Sequence, residues 1–321
     1  MPMFDLTGTE LRTYKSAVEP PPDLGEFWDG TLAAAREHGG APSLRPANTP
    51  LRLIETYDVE FPGFGGDPIR GWLHRPAGAA GPLPAVVEYR GYGNGRGLAH
   101  EGARWAVAGY AHFVMDTRGQ GSSGSVGDTA DPNEGAPAHP GVMTRGILDR
   151  DTYYYRRLFT DAARAVDAVR SLPGVDPARV AIVGPSQGGG ITLAVSALVD
   201  DLVGVMVDVP FLCDIRRATE ISDKDPYGEI VRYLKAHRDQ TGAVFDTLRY
   251  FDGAVLATRA SAPALFSVAL MDEVCPPSTV YAAYNSYAGA KEIREYAYNQ
   301  HEGGGAFHEL AQMTWLADQL S

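Results

Sequence analysis

Five short apolar runs mark the middle and C-terminal parts of the chain: Pro84–Tyr89, Ala111–Asp116, Val180–Val183, Gly204–Asp208 and Ala264–Ala269. Stretches with helical spacing, near 101–108, 158–171, 188–199 and 278–288, lie between most of them. Near-continuous apolar strands alternating with helices predict a mostly parallel sheet covered on both faces. The upstream pattern is different. Leu51–Val59 alternates apolar and polar residues and predicts a half-exposed strand; a second follows at Ile69–His74, with a glycine-rich hairpin turn between them. Residues 1–50 form a proline-punctuated amphipathic extension with a helix over Phe27–Ala35 that begins near Asp23. Residues 211–258 break the alternation with charged and aromatic segments such as Glu229–Lys235. They read as helices inserted over the strand tips to shape a pocket, or else as a surface excursion without a role in selectivity.

Antiparallel strands first and parallel units afterwards is the order of the α/β-hydrolase fold, here expected as one domain over 1–321. At 321 residues the chain can bury a large core. Its formal net charge of -12 argues against a nucleic-acid or anionic-membrane partner. No apolar run is as long as a membrane span. The first residues have neither a basic n-region nor an apolar core, so no signal peptide is visible and a cytoplasmic protein is expected. Cys213 and Cys275 stand in apolar or proline-rich surroundings and read as reduced thiols.

The run at Val180 leads straight into Gly184-Pro185-Ser186-Gln187-Gly188 and then an apolar helix. A serine on a strand-to-helix turn has its hydroxyl pushed out over the sheet edge, and flanking glycines allow the close backbone approaches of that turn. Ser186 is therefore the candidate nucleophile. It needs a base, and the base needs an orienting acid, supplied on this fold in the order serine, acid, histidine. Downstream stand His237, His301 and His308. His237 lies in the insertion. His301 follows the strand-like Ile293–Tyr298 and precedes Gly303-Gly304-Gly305, a loop at the sheet edge; His308, near the start of the last helix, is its competitor. Asp272 closes the Leu265–Met271 run, where a carboxylate would hold the imidazole, whereas Asp208 and Asp252 read as turn caps. The expected triad is Ser186, Asp272 and His301.

A developing oxyanion needs donors. The backbone N–H of Gln187, next after the serine, is one, and that of Tyr92 in the glycine-rich loop Arg90–Gly95 is the other. Trp105 and Phe211 are expected to line an acyl or leaving-group pocket, with a core position as the alternative, and Pro210 is expected to line the substrate pocket with them. Arg118 reads as an arginine that fixes loops. Asp149–Arg157 reads as a capped helix start with packed tyrosines. No grouping has metal-ligand spacing, so neither metal nor cofactor is expected.

With these residues the chain resembles carbohydrate esterase family 7, the acetyl xylan esterases and cephalosporin-C deacetylases. The resemblance runs from Met3-Phe4-Asp5-Leu6, Leu11–Lys15 and Glu26-Phe27-Trp28, through Arg118-Gly119-Gln120, Gly146–Arg156 and Ser186-Gln187-Gly188-Gly189, to Asp272, Cys275–Asn285 and His301-Glu302. It implies the same triad and oxyanion donors, and removal of acetate from (xylo-)oligosaccharides and from cephalosporin-type esters. It also implies a homo-hexamer built as a trimer of dimers. Two positions depart from the family pattern: Pro185 replaces a second glycine before the serine, and Arg90 stands where histidine is common. Other hydrolases of this fold, such as dienelactone hydrolases, peptidases and acyltransferases, are the alternative activities, and a non-catalytic binding protein is the alternative class.

Overall fold

The structure, a computed structural model, describes residues 5–132, 135–138 and 140–321. Met3 and Phe4 of the opening motif lie outside the described residues. Nine strands are found among the described residues: β1 Ser43–Pro46, β2 Ile54–Pro62, β3 Pro68–Pro76, β4 Leu83–Glu88, β5 Ala111–Met115, β6 Val175–Pro185, β7 Gly204–Asp208, β8 Ala264–Ala269 and β9 Lys291–Tyr296. They form one sheet in the order β1-β2-β3-β5-β4-β6-β7-β8-β9. The first three run antiparallel to their neighbours, with Pro62 opposite Pro68 at the hairpin, and every pair from β5·β4 to β8·β9 is parallel. This is the α/β-hydrolase arrangement.

The α-helices in chain order are α1 Gly8–Thr13, α2 Leu24–Glu37, α3 Arg104–Val107, α4 Tyr154–Ser171, α5 Gln187–Leu198, α6 Ile215–Ile221, α7 Tyr227–Ala236, α8 Thr241–Leu248, α9 Gly253–Leu256, α10 Pro277–Ser286 and α11 Gly305–Gln319. Alternation within the inner parallel strands explains why their central runs are apolar at successive positions. Ala85 and Val87 of β4, Val180 and Ile182 of β6, and Val205 and Val207 of β7 join a large core with residues of α2, α4, α5 and α10. Val86, Ala181, Val183 and Met206, the residues between them, join a smaller core with Trp105 of α3 and Trp315 and Leu316 of α11. Each strand therefore buries side chains on both faces.

Arg118 is fully buried and fixes loops. Its Nε and Nη2 donate to Asp161 on α4 at 2.5 and 2.7 Å, and its Nη1 donates to Asp67 at 2.9 Å. Asp161 also accepts the Phe64 N–H at 2.8 Å. Removing Asp161 leaves the buried guanidinium with Asp67 and, at 3.5 Å, Asp131, but takes the acceptors from its Nε and Nη2, so Asp161→Ala is expected to cost about 3–5 kcal/mol in urea unfolding. A loss under about 1 kcal/mol would show the pair to be dispensable.

Residues 211–258 are largely helical (α6 to α9), as the broken pattern predicted. The helix begun near Asp23 is α2, with Asp23 as its N-cap residue.

Candidate active site

The parallel strands end on one side of the sheet, and loops leaving β4, β6, β8 and β9 meet there, the usual ligand position for such sheets. Ser186 sits between β6 and α5 at φ 57°, ψ -119°. Three bonds hold this unfavourable backbone: Ser186 N–H donates to Asp208 O at 2.9 Å, while Ser186 O accepts from Phe211 N–H at 2.9 Å and Gly190 N–H at 3.0 Å. The glycines are required sterically. A Cβ on Gly184 would stand 2.4 Å from the Gly188 carbonyl carbon, and one on Gly188 would stand 2.3 Å from Tyr89 O. Pro185 is exposed at the cavity rim, and the ladders to β4 and β7 close on Tyr89 N–H and Ser186 N–H without a donor at 185.

His301, in the loop after β9, places Nε2 2.9 Å from Ser186 Oγ and Nδ1 2.8 Å from Asp272 Oδ2. Asp272, just past β8, is fully buried, and its Oδ1 accepts the N–H groups of Val274 and Cys275 at 2.8 and 2.9 Å. One carboxylate oxygen thus anchors the turn and leaves the other for the imidazole. His308 is engaged elsewhere, with Nε2 2.8 Å from Asp208 Oδ1 and Nδ1 3.0 Å from the Tyr296 hydroxyl. His237 is exposed at the end of α7, its ring against Tyr233. Asp252 caps α9 through Ala254 N–H at 2.9 Å.

Gln187 opens α5, so its N–H has no intrahelical acceptor. The loop after β4 lies beside the serine: a Cβ on Gly91 would come 4.0 Å from Ser186 Cβ. A side chain to which the sequence assigned no role ties the backbone of this loop to the Gln187 side chain. Gln120 Oε1 accepts Gly93 N–H at 2.6 Å, and its Nε2 donates to Gln187 Oε1 at 3.0 Å and to the Tyr154 hydroxyl at 2.9 Å. Its position in Arg118-Gly119-Gln120 was the available signal.

A cavity of about 1230 Å³ opens over Ser186 and His301. Asp225, Pro226, Glu229, Arg232 and Tyr233 line one side, so the insertion does shape it. Trp105, Pro210 and Phe211 do not line it. Trp105 is fully buried in the smaller core against Tyr110, on the face shared with α11. Pro210 is buried where its backbone meets Gly189, and Phe211 is buried between Tyr92 and Tyr227. The core alternative holds for Trp105 and Phe211, and the expectation that Pro210 lines the pocket is corrected by its burial.

The cavity charges are balanced. Arg90 pairs with Glu88 at 2.6 Å, Arg104 reaches Glu88 at 3.5 Å and Glu309 at 2.7 Å, and Arg232 pairs with Asp225 at 2.8 Å. Arg90 Nε also donates to Gly95 O at 3.3 Å, bracing the glycine-rich loop. Burial alone would push the Glu88 carboxyl up, but the His112 hydrogen bond and the charges of Arg104 and Arg90 outweigh it and hold Glu88 well below the usual carboxylate range. A folded-state value below the unfolded one means this stabilisation is complete above the ordinary carboxylate pKa and is lost as pH falls through the folded value. Glu88→Gln is therefore expected to flatten the decline in unfolding free energy from roughly pH 5 to pH 2. An equally steep decline in wild type and variant would assign the acid sensitivity to other groups. Cys275 lies beside the candidate triad, its Sγ within 4.8 Å of a carboxylate oxygen of Asp272 and a ring nitrogen of His301, and burial followed by the Asp272 charge pushes its thiol well up. Cys213 is likewise a buried free thiol.

Comparison with known proteins identifies the family. The family model described as acetyl xylan esterase (AXE1) matches residues 1–319. An acetyl xylan esterase from Paenibacillus sp. R4 superposes with TM-score 0.91 at 39% identity, covering 98% of this chain and 99% of that one. Acetyl xylan esterase 1 from Thermoanaerobacterium sp. JW/SL YS485 gives TM-score 0.88 at 33% identity, covering 99% and 100%. The acetyl esterase Axe7A of Xylanibacter ruminicola is 25% identical over 310 residues, 95% of this chain and 69% of that protein. Matched over nearly its whole length in sequence and in structure, the chain belongs to the acetyl xylan esterase family of carboxylic ester hydrolases.

Proposed function

We propose that the chain is a serine esterase that removes acetyl groups from acetylated xylo-oligosaccharides and from cephalosporin-type acetate esters. Ser186 is the nucleophile, His301 the base, Asp272 the orienting acid, and the Tyr92 and Gln187 amides the oxyanion donors. The observation that carries this reading is the continuous chain from Ser186 Oγ to His301 at 2.9 Å and on to Asp272 at 2.8 Å. His301 takes the serine proton as Oγ bonds to the ester carbonyl carbon. The bond to the alcohol oxygen then breaks, and His301 returns that proton to the leaving alcohol. Water attacks the acetyl-enzyme by the same route, giving acetate and restoring the hydroxyl. Balanced cavity charges, Glu88, Asp225 and Glu229 against Arg90, Arg104 and Arg232, suit a neutral, hydroxyl-rich leaving group.

The test is acetate release from acetylated xylo-oligosaccharides and cephalosporin C, compared with matched propionyl and butyryl esters. Acetyl esters are expected to react fastest, with kcat/KM falling about 10-fold or more per added methylene. No acetate from folded protein, or equal rates with butyryl esters, would overturn the substrate assignment. The proposal extends to a cytoplasmic hexamer. Two buried free thiols fit a reducing compartment, and the exposed Phe307 and Leu310 on α11 fit a buried contact between copies. Sedimentation of a monomer at all concentrations would refute the hexamer.

A further inference from the structure

The amide expected to stabilise the oxyanion belongs to a residue whose side chain reaches the inserted helices. The Tyr92 hydroxyl donates to Glu229 Oε1 on α7 at 2.7 Å and accepts the N–H groups of Gly141 and Val142 at 3.0 and 2.9 Å. Glu229 Oε2 accepts Met143 N–H at 3.1 Å. Two side chains thus join three segments distant in sequence: the loop after β4, the 141–143 loop and α7. The Tyr92 ring also packs against Phe211, whose N–H holds Ser186 O. From the same helix, Glu229, Arg232 and Tyr233 line the cavity. Burial pushes the Glu229 carboxyl up, opposed by the Tyr92 and Met143 hydrogen bonds.

We infer that Glu229 is a positioning residue for the oxyanion hole: through the Tyr92 hydroxyl, α7 fixes the loop that presents the Tyr92 amide to the reacting carbonyl. The inference rests on the proposed role of that amide. Glu229 touches no reacting atom. Oxyanion donors act only when held at the right place for charge that develops in the transition state, so loosening their support lowers kcat more than it weakens ground-state binding. A leaving group seated against Arg232 and Tyr233 bears on the helix that holds this loop, so the joint also links leaving-group contacts to the acyl site.

The experiment compares wild type, Glu229→Ala, Glu229→Gln, Tyr92→Phe and the Glu229→Ala/Tyr92→Phe pair, each verified as folded by circular dichroism and thermal melting. Tyr92→Phe keeps the backbone amide but deletes the hydroxyl. Steady-state acetate release is read as kcat and KM separately, beside affinity for a small alkyl boronic acid, whose tetrahedral adduct uses the same amides. Glu229→Ala is expected to lower kcat about 10-fold or more with KM within about 3-fold, and to weaken boronate binding in parallel. Glu229→Gln keeps one acceptor oxygen and is expected to recover part of the loss. The double variant is expected to fall no more than about 3-fold below the worse single, since both changes break one joint. Unchanged kcat in folded Glu229→Ala, additive losses, or a lower melting temperature alone would overturn the inference. Full activity in Ser186→Ala would instead overturn the serine mechanism itself, so the two failures are distinguishable.

Discussion

Ser186→Ala is expected to lower kcat/KM for acetate release by at least about 10⁴-fold. The change removes one oxygen, the atom that accepts the acetyl group in the proposed mechanism. Its hydroxyl contributes little to the fold, because the turn is held by backbone bonds to Asp208, Gly190 and Phe211 and by the glycine contacts around it. Alanine must still adopt the serine's φ of 57°, a conformation already enforced by the surroundings. Stability is therefore expected to stay within about 1 kcal/mol of wild type in urea unfolding, separating chemistry from folding. Residual turnover reflects the oxyanion amides and substrate binding. Activity within about 10-fold of wild type would mean that another nucleophile carries the reaction.

Asp272→Asn is expected to lower kcat by about 10⁴-fold with little change in KM. Asp272 accepts the His301 Nδ1 proton through Oδ2, while Oδ1 accepts two backbone amides. Those two N–H groups keep the acceptor oxygen of asparagine on the turn, which leaves its NH₂ facing His301. The imidazole must then present an acceptor at Nδ1 and carry its proton at Nε2, towards Ser186. That tautomer cannot take the serine proton. Asp272 is completely buried, so no solvent replaces the lost carboxylate. Loss of kcat with retained folding supports the orienting role, whereas a variant equal to wild type would remove Asp272 from the mechanism.

How much was legible depends on whether the signal was local. The inner strands β4, β5, β7, β8 and the Val180–Val183 part of β6 could be read because burial on both faces makes them largely apolar, and the serine turn could be read because its glycines have no steric substitute. Strand ends were less visible. β6 starts at Val175, before the polar Asp176–Arg179 segment that hides its beginning, and the short β1 and α1 lie in a stretch with no repeating pattern. Apolar identity did not tell cavity wall from core: Trp105 went to the α11 face of the sheet, and Phe211 went beneath Tyr92. The competition between His301 and His308 turned on partners outside the local sequence, above all the distant Ser186 for one and Asp208 for the other. Glu229 and Tyr92 are 137 positions apart, and no periodicity or motif connects them.

The central claim is that acetate leaves through a covalent intermediate on Ser186. Its most direct test is rapid acid quench of wild-type protein mixed with excess acetylated xylo-oligosaccharide, followed by peptide mass analysis. The account predicts a transient mass increase of one acetyl group on the peptide carrying Ser186, formed and lost at rates compatible with turnover and absent from Ser186→Ala. Steady acetate release with an unmodified Ser186 peptide at every quench time, and undiminished in Ser186→Ala, would contradict it.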